Sequence, residues 1–583
     1  MILQALVDYY EQLAAQGKIA RPGWAKVKVS WALEIDGDGT LLDVLPLRHP
    51  GKDGKKMVPQ EMELPAPIVK ASAVRSNFLW DNSSYILGLD HKGKAERAGK
   101  CFEAAKTLHQ ELLSAADSPA ARAVAAFFAG WNPGNADSDP VFSAHREELL
   151  AGENICFFHN GVCVSEDESI RCIWQSNFDK TADGNSSFCL VTGKQTVPEL
   201  THPAIKNVRD AQSSGAALVS FNAPAFCSYG KEQNANAPVS KYAAFAYTTA
   251  LNDLLSQRDH VKVIGNTSLV YWANGAQEQY QDAFAALFDG GEENQISNDE
   301  LDALMRSIAA GEPYNYDGLP LEPDNAFYLL GISPNAARLS VRFFFRSSFG
   351  EIVGNLKQHY DDIRIVPDHR SRRELIPLWA LLRETVNQKA SDKSPLPQLA
   401  GDVMKSMLNG GRYPETLMNQ TLLRIRAEHD ITHGKAAIVK AYLIRNTTTL
   451  PERESIMEVT KVSLNEESSY TPYVLGRLFA VLEGTQQAGN PGLNATIKDR
   501  FFNSACATPA AVFPILLKLS NSHLRKLDGG KAVYWSRQIG ALTDRLGDGF
   551  PAHLSLQEQG SFILGYYHQT QKRFEKSNHD KEE

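Results

Sequence analysis

The chain has 583 residues, 60 Lys and Arg against 68 Asp and Glu, and a formal net charge of −8. That length predicts two or three domains with ample core, and the apolar and charged fractions are those of a globular protein. The charge argues against a free-standing domain that coats DNA, and no apolar run is long enough to span a bilayer.

The first 17 residues predict a helix, because Leu3, Leu6, Val7, Tyr10 and Leu13 recur at helical spacing. With Asp8 and Glu11 on it, this is no cationic signal peptide, so a cytoplasmic location is expected. VKVSWALEIDGDGTLLDVLPLR reads as a hairpin around Asp36-Gly37-Asp38-Gly39. A Lys-rich turn, GKDGKK, and an extended Pro-containing segment follow, then helices over 94–116 and 120–129. Residues 155–174 read as strands, with ICFFHN and GVCVSE joined around His159-Asn160-Gly161. Leu218–Phe221 reads as a short buried strand, and the apolar run 243–255 as a helix. SLVYWA and AFYLLGISPNAARLSVRFFFRS predict further strands, the latter broken near Pro334-Asn335. A Glu/Asp-rich stretch over 289–300 reads as a solvated loop and helix start.

After about residue 370 nearly everything is helix-patterned, and a polar break, NTTTLPERES, precedes a last helical block. The expected fold is α+β: a mixed N-terminal region with antiparallel sheets over 1–365, a helical linking region over 366–456, and an all-α bundle over 457–583.

Catalytic signatures are missing. There is no phosphate-binding Gly-rich loop, no Gly-x-Gly-x-x-Gly after a strand, no His-Glu-x-x-His and no nucleophile elbow. The seven cysteines lack zinc-knuckle spacing, and they read as reduced core thiols. His429 and His433, four apart, suit a shared metal or a polar helix junction. Asp361-Asp362 suits a nuclease-type metal or a solvated helix end. No catalytic residue, metal site or cofactor is expected.

Binding residues are more visible. SYGKEQNANAPVS sits between the predicted strand and helix, so its Lys231, Gln233, Asn234 and Asn236 lie on a loop held by core at both ends. Lys carries charge to phosphate, and the amides carry paired donors and acceptors suited to base edges. In a second segment Lys70, Arg75, Ser76, Asn77 and Asn82 surround Phe78, Leu79 and Trp80. The apolar trio can anchor while the polar residues project toward a groove; an ordinary edge segment with polar turns is the alternative. Arg338, Arg342 and Arg346 recur at intervals of four, which places them on one face of a strand, for phosphate or for acidic partners. The run Arg370, Arg372, Arg373 reads as a solvated linker. Lys498-Asp499-Arg500 and Arg525-Lys526 supply basic helix ends, as solvated surface or as a track for a single strand. Trp535 and Tyr566-Tyr567 read as core.

The wording of CLVTG, THPAIKNV, SSGAALVSFN, SYGKEQNANAPVS and FAYTTALN resembles the large subunit of the type I-C CRISPR Cascade complex. Further similar stretches are MILQALVDYYEQLA, ISPNAARLSVRFF, RIRAEHDITHGKAAIVKAYLIR, YVLGRLFAVLE and FPAHLSLQEQGSFILGYYHQ, so the resemblance covers nearly the whole chain. It implies a non-catalytic subunit that recognises the protospacer-adjacent motif in double-stranded DNA. It also implies help with duplex opening and R-loop formation, and recruitment of a separate helicase-nuclease. The partners implied are the guide RNA, the target DNA, and the backbone, 5′-handle-binding and small subunits. Under that task Lys231, Gln233, Asn234 and Asn236 approach the motif duplex, with Gln233 as a wedge. Asn77 and Asn82 read the groove, and Lys70 and Arg75 hold phosphate. Arg338, Arg342, Lys498 and Arg500 are nucleic-acid backbone candidates. The resemblance further implies that block 457–583 matches the small subunit, with Met457 as an internal start. The alternatives are a scaffold that meets guide RNA and neighbouring subunits without reading DNA, or a metal-dependent nuclease.

Overall fold

The computed structural model describes residues 2–51, 56–68, 74–90, 95–179, 186–257, 260–290, 297–368, 375–391, 393–447, 452–547 and 549–579. Two units emerge. The first gathers Met1–Asn207, Gln212–Ser256 and Ala336–Arg338; the second gathers Val208–Ala211, Gln257–Asn335 and Leu339–Glu583. The α+β expectation holds, with sheets toward the amino end and helices toward the carboxyl end.

In the first unit, alternating apolar residues make strand Trp31–Ile35, which pairs antiparallel with Leu41–Pro46. The Asp-Gly turn forms as its residues predict: the Asp36 carboxylate accepts from the Asp38 and Thr40 amides at 2.9 and 2.8 Å. Gly39 takes φ +79°, and a Cβ there would lie 2.2 Å from the Phe127 amide nitrogen, so only glycine fits. The other edge of Trp31–Ile35 pairs in parallel with Ile155–His159, which also pairs with Trp80–Asp81 and Val162–Cys163. Strand Trp24–Val29 does not extend this sheet; it joins a three-stranded sheet with Met57–Pro65 and Arg48–Pro50. Helices Ala95–Leu113 and Pro119–Gly130 cover the larger sheet with a ring-rich core of Phe78, Phe102, Phe127, Phe128, Phe157 and Trp174.

The strand reading of 155–174 holds only as far as Cys163. Asp167 then accepts from the Ile170 amide, and helix Glu168–Asp179 follows. Side-chain capping by Asp starts a helix where apolar residues alone suggested a strand.

In the second unit, the sheet order is Val261–Ile264, Thr267–Ala273, Ala326–Asn335, Arg338–Ser348. Ser297 and Glu300 form a capping box that starts helix Asn298–Ala309. This helix packs on Phe349–Ile363, which with Glu278–Phe288 covers the sheet, and one apolar cluster continues from Ile264 through the later helices to Tyr567. Its tightest contact joins Thr471–Gly489 to Leu556–His579. A Cβ on Gly476 would lie 1.9 Å from the Phe562 carbonyl oxygen, and one on Gly565 would lie 2.1 Å from that of Tyr473. Two glycines thus let the helix backbones touch. No helix among the described residues is long and apolar enough to cross a membrane.

Candidate nucleic-acid interface

The segment 189–240 is a long excursion closed at its base by short-range chemistry. Cys189 Sγ accepts from the Ser240 amide at 3.2 Å and the Thr192 amide at 3.4 Å. Burial pushes this thiol up, but these hydrogen bonds outweigh it and bring it down to about 7. The Leu190 amide donates to the Pro238 carbonyl and the Glu199 amide to the Val239 carbonyl, both at 2.9 Å. Ser240 Oγ then caps the Ala243 amide at the start of helix Lys241–Ser256. That helix in turn pins the middle of the excursion. Tyr247 Oη lies 2.7 Å from buried His202 Nδ1, while Asn252 accepts from the Lys206 amide and donates to the Ala204 carbonyl. So FAYTTALN and THPAIKN are two halves of one contact.

The expected strand at Leu218–Phe221 is absent. Only Ala216 and Ala217 make isolated bridges, to Ile205 and Arg338, and the four residues beyond are half-buried without a sheet neighbour. A β-rich composition lacked a partner edge here. The ladder in this region is instead the two-residue pair Ser187–Phe188 and Gln195–Thr196.

At the tip, the amide of Asn236 is spent on the loop itself. Its Oδ1 accepts from the Ser228 amide at 2.8 Å, and its Nδ2 donates to the carbonyls of Lys231 and Gln233 at 3.2 and 2.9 Å. Asn234 points inward and is buried. Lys231 and Gln233 are exposed. The residue that sequence reasoning missed is Tyr229, 98% exposed with φ +54°; Gln233 also has positive φ, at 44°. Such a backbone is unfavourable for a bulky side chain by roughly 1–3 kcal/mol, and it persists because the surrounding bonds over-determine it. The one signal available in the sequence was a large aromatic before Gly230 in an otherwise polar loop.

The second segment is a structural knot. Phe78 stacks on Trp174 at 5.4 Å, Trp80 Nε1 donates to the Pro65 carbonyl, and Leu79 is fully buried with φ +66°. Buried His109 holds it from the helix below: its Nδ1 is 2.7 Å from the Ala105 carbonyl, and its Nε2 accepts from the Leu79 amide at 2.8 Å. The proton therefore sits on Nδ1, and burial lowers this imidazole to about 4. Asn77 is buried, and its Oδ1 accepts from the Ile68 amide; Asn82 Oδ1 caps the Ser84 amide. Asp81 accepts from the amides of both asparagines. Of the polar candidates here, Arg75 faces solvent. Lys70 lies outside the described residues, as do Arg370, Arg372 and Arg373.

The family model for CRISPR-associated protein (Cas_Csd1) matches residues 6–574. The chain belongs to this family. It is a large subunit of type I-C Cascade, a CRISPR complex with other subunits. No curated protein matches the sequence.

The remaining candidates in this large subunit are dispersed. Arg338 stacks its guanidinium on Phe226 at 4.3 Å. Arg342 Nε donates to Ser333 Oγ at 2.7 Å, and Arg346 lies 5.9 Å over Tyr328. Lys498 and Arg500 sit in the first turn of helix Ile497–Ala507, near the rings of Tyr566 and Phe501. Lys526 is bonded to Asn490. Tyr566 and Tyr567 are core, as expected, with hydroxyls donating to Glu483 and the Val366 carbonyl; Trp535 is half-buried under Arg573.

Two metal readings dissolve. His429 ends helix Glu415–Glu428 with φ +51°, while His433 opens the next helix, buried, with Nε2 on the Ile365 carbonyl. They share no helix face. Asp361 pairs with Lys357 at 2.6 Å, whereas Asp362 is buried against Arg445 at 2.6 Å, so it is not a solvated helix end either. Among the described residues no group of three or more metal-ligating side chains gathers.

Proposed function

We propose that this large subunit recognises the protospacer-adjacent motif through the 228–236 tip, and that it promotes duplex opening and R-loop formation. The observation that carries the reading is the tip itself: a strained, internally bonded turn that presents Tyr229, Lys231 and Gln233 to solvent. A pre-set turn binds without loss of loop entropy. Lys231 contacts phosphate, Gln233 reads a base edge, and Tyr229 stacks on a base exposed at the strand fork. Asn234 and Asn236 shape the tip from within. Arg75 holds backbone phosphate, with Lys70 beside it in sequence, while Asn77 and Asn82 frame that segment. Arg338, Arg342, Lys498 and Arg500 are secondary backbone contacts. The protein acts in the cytoplasm with guide RNA and the backbone, 5′-handle-binding and small subunits. It has no catalytic centre and hands the opened duplex to a helicase-nuclease. Block 457–583 is the small-subunit-like part, with Met457 in helix Glu452–Val459 as an internal start.

The test is binding of assembled complex to duplexes with and without the motif. Lys231→Ala should weaken both duplexes and lower the salt dependence by about one charge. Gln233→Ala should erase about 1–3 kcal/mol of motif discrimination. Normal discrimination in the Lys231→Ala, Gln233→Ala double variant overturns the assignment. A scaffold role is favoured by one observation, the exposed Phe188 and Leu190 (67% and 70%) near the loop base. Failure of the double variant to assemble, with DNA affinity of the residual complex unchanged, would select it.

A further inference from the structure

The helical part of the second unit holds a cavity of about 830 Å³ between helix Leu378–Arg383, the turn after it, and the end of helix Glu415–Glu428. This lies within the range of small-ligand sites, about 300–1,000 Å³. Four cations (Arg383, Lys389, Arg424, Lys435) and three carboxylates (Glu384, Glu428, Asp430) line it. Two of the carboxylates are engaged from the floor. Lys435, buried, donates to Glu428 Oε2 at 2.5 Å and to the Asp430 carbonyl at 3.2 Å. Glu384 Oε2 accepts from Thr432 Oγ1 at 2.8 Å, and burial raises this carboxyl, which favours its neutral form.

The other three cations stand open. The turn after Arg383 is tied by its own bonds. The Val386 amide donates to the Arg383 carbonyl at 3.3 Å, Gln388 Nε2 to the Val386 carbonyl at 3.2 Å, and the Lys389 amide to Asn387 Oδ1 at 3.0 Å. The amide side chains of the turn therefore serve its backbone, and what the turn offers the cavity is charge. Arg383 and Lys389 sit at its two ends, exposed, and no described side chain pairs with either. On the opposite wall, Arg424 Nη1 lies 3.8 Å from Glu428 Oε1, beyond hydrogen-bond reach. Trp379, which has a contact of its own within the chain, completes the walls with Ala380 and Ala427. Two guanidinium groups and an ammonium around one cavity match an anion of at least two charges, whose oxygens can take paired N–H groups. A lone carboxylate would satisfy one of the three cations; two neighbouring phosphates satisfy all of them.

We infer that this cavity binds a pair of neighbouring phosphate groups on Arg383, Lys389 and Arg424. The pair belongs either to a free inorganic diphosphate or to two successive nucleotides of a single strand. The site shares no residue with the tip assigned to duplex recognition and does not depend on that reading.

Equilibrium dialysis of the full chain against labelled pyrophosphate, beside a labelled oligothymidylate, tests it. Arg383→Glu and Lys389→Glu should each weaken binding about tenfold, and Arg383→Lys about threefold, because an ammonium cannot pair two N–H groups with one phosphate. Lys518→Glu, an equal reversal at an exposed position of helix Pro509–Leu524, should leave binding within about twofold of the parent. Pyrophosphate binding that depends on Arg383, with the strand no tighter, identifies the free anion. A far tighter strand, whose salt slope falls by about 0.7 in Arg383→Ala, identifies the strand. Four results overturn the inference: no binding of either probe at millimolar concentration, binding unchanged by Arg383→Glu in a variant with unchanged circular dichroism, equal loss in Lys518→Glu and Arg383→Glu, or displacement of pyrophosphate by polyglutamate as effective as by tripolyphosphate.

Discussion

Acidification should loosen the segment 74–82 through one residue, His109. In the folded chain this imidazole is stacked 4.3 Å from Phe128, accepts from the Leu79 amide, and takes up a second proton only below about pH 4. Unfolded, it titrates near 6.5. The folded value is depressed, so the contribution to stability is complete above about pH 6.5 and disappears as pH falls toward 4. The span from 6.5 to about 4 corresponds to about 3 kcal/mol, of which about 2 kcal/mol is already lost at about pH 5. His109→Phe keeps a ring in the cluster but leaves the buried Leu79 amide without its acceptor, a pH-independent cost of about 1–3 kcal/mol. The assay is hydrogen exchange of peptides covering 74–82 in both proteins, at pH 7.5 and 5, converted to opening free energies with correction for intrinsic exchange. The parent should be more protected at pH 7.5, and the gap should shrink by about 2 kcal/mol at pH 5. His202, His359 and His568 are also buried and lowered, but they titrate in both proteins and cancel in the difference. A gap that does not change with pH refutes the assignment of the proton and the acceptor role of Nε2.

Four other outcomes are expected. Asn236→Ala removes three bonds inside the tip, so exchange at Ser228 should quicken and motif binding should fall while the melting temperature stays within about 2 °C; unchanged DNA affinity would count against a pre-set turn. Gly565→Ala should force two helix backbones apart, costing about 3 kcal/mol and on the order of 5 °C in Tm by calorimetry. Gly540→Ala, in a helix with open space around it, should instead add about 0.5–1 kcal/mol. Asp362→Ala should cost about 3–5 kcal/mol in urea unfolding by stranding Arg445, and Arg445→Met in the same chain should restore most of it.

Local rules were legible wherever a few neighbouring residues decide the outcome. The period of Leu3, Leu6, Tyr10 and Leu13 sufficed for helix Ile2–Ala15, and Asp36-Gly37-Asp38-Gly39 for its hairpin. The same rules failed at Leu218–Phe221, because a strand exists only with a partner edge, and none pairs there. They also missed the helix after Cys163, because the cap from Asp167 outweighed the composition.

At the candidate interface the sequence by itself determined the inventory: a polar loop rich in Lys and amides, set before an apolar helix. It also carried the family likeness. Which side chains of that loop meet solvent was decided only in three dimensions. Cys189 must find Ser240 across 51 positions, and Asn236 must fold back on Ser228, before Tyr229 and Gln233 can be held at positive φ. Those contacts turn Asn234 inward and Lys231 outward, although the residues are three apart in one polar run. Burial and hydrogen-bond partners depend on distant chain, so residue type alone assigned four readers where the fold leaves two of them, and one tyrosine, facing out.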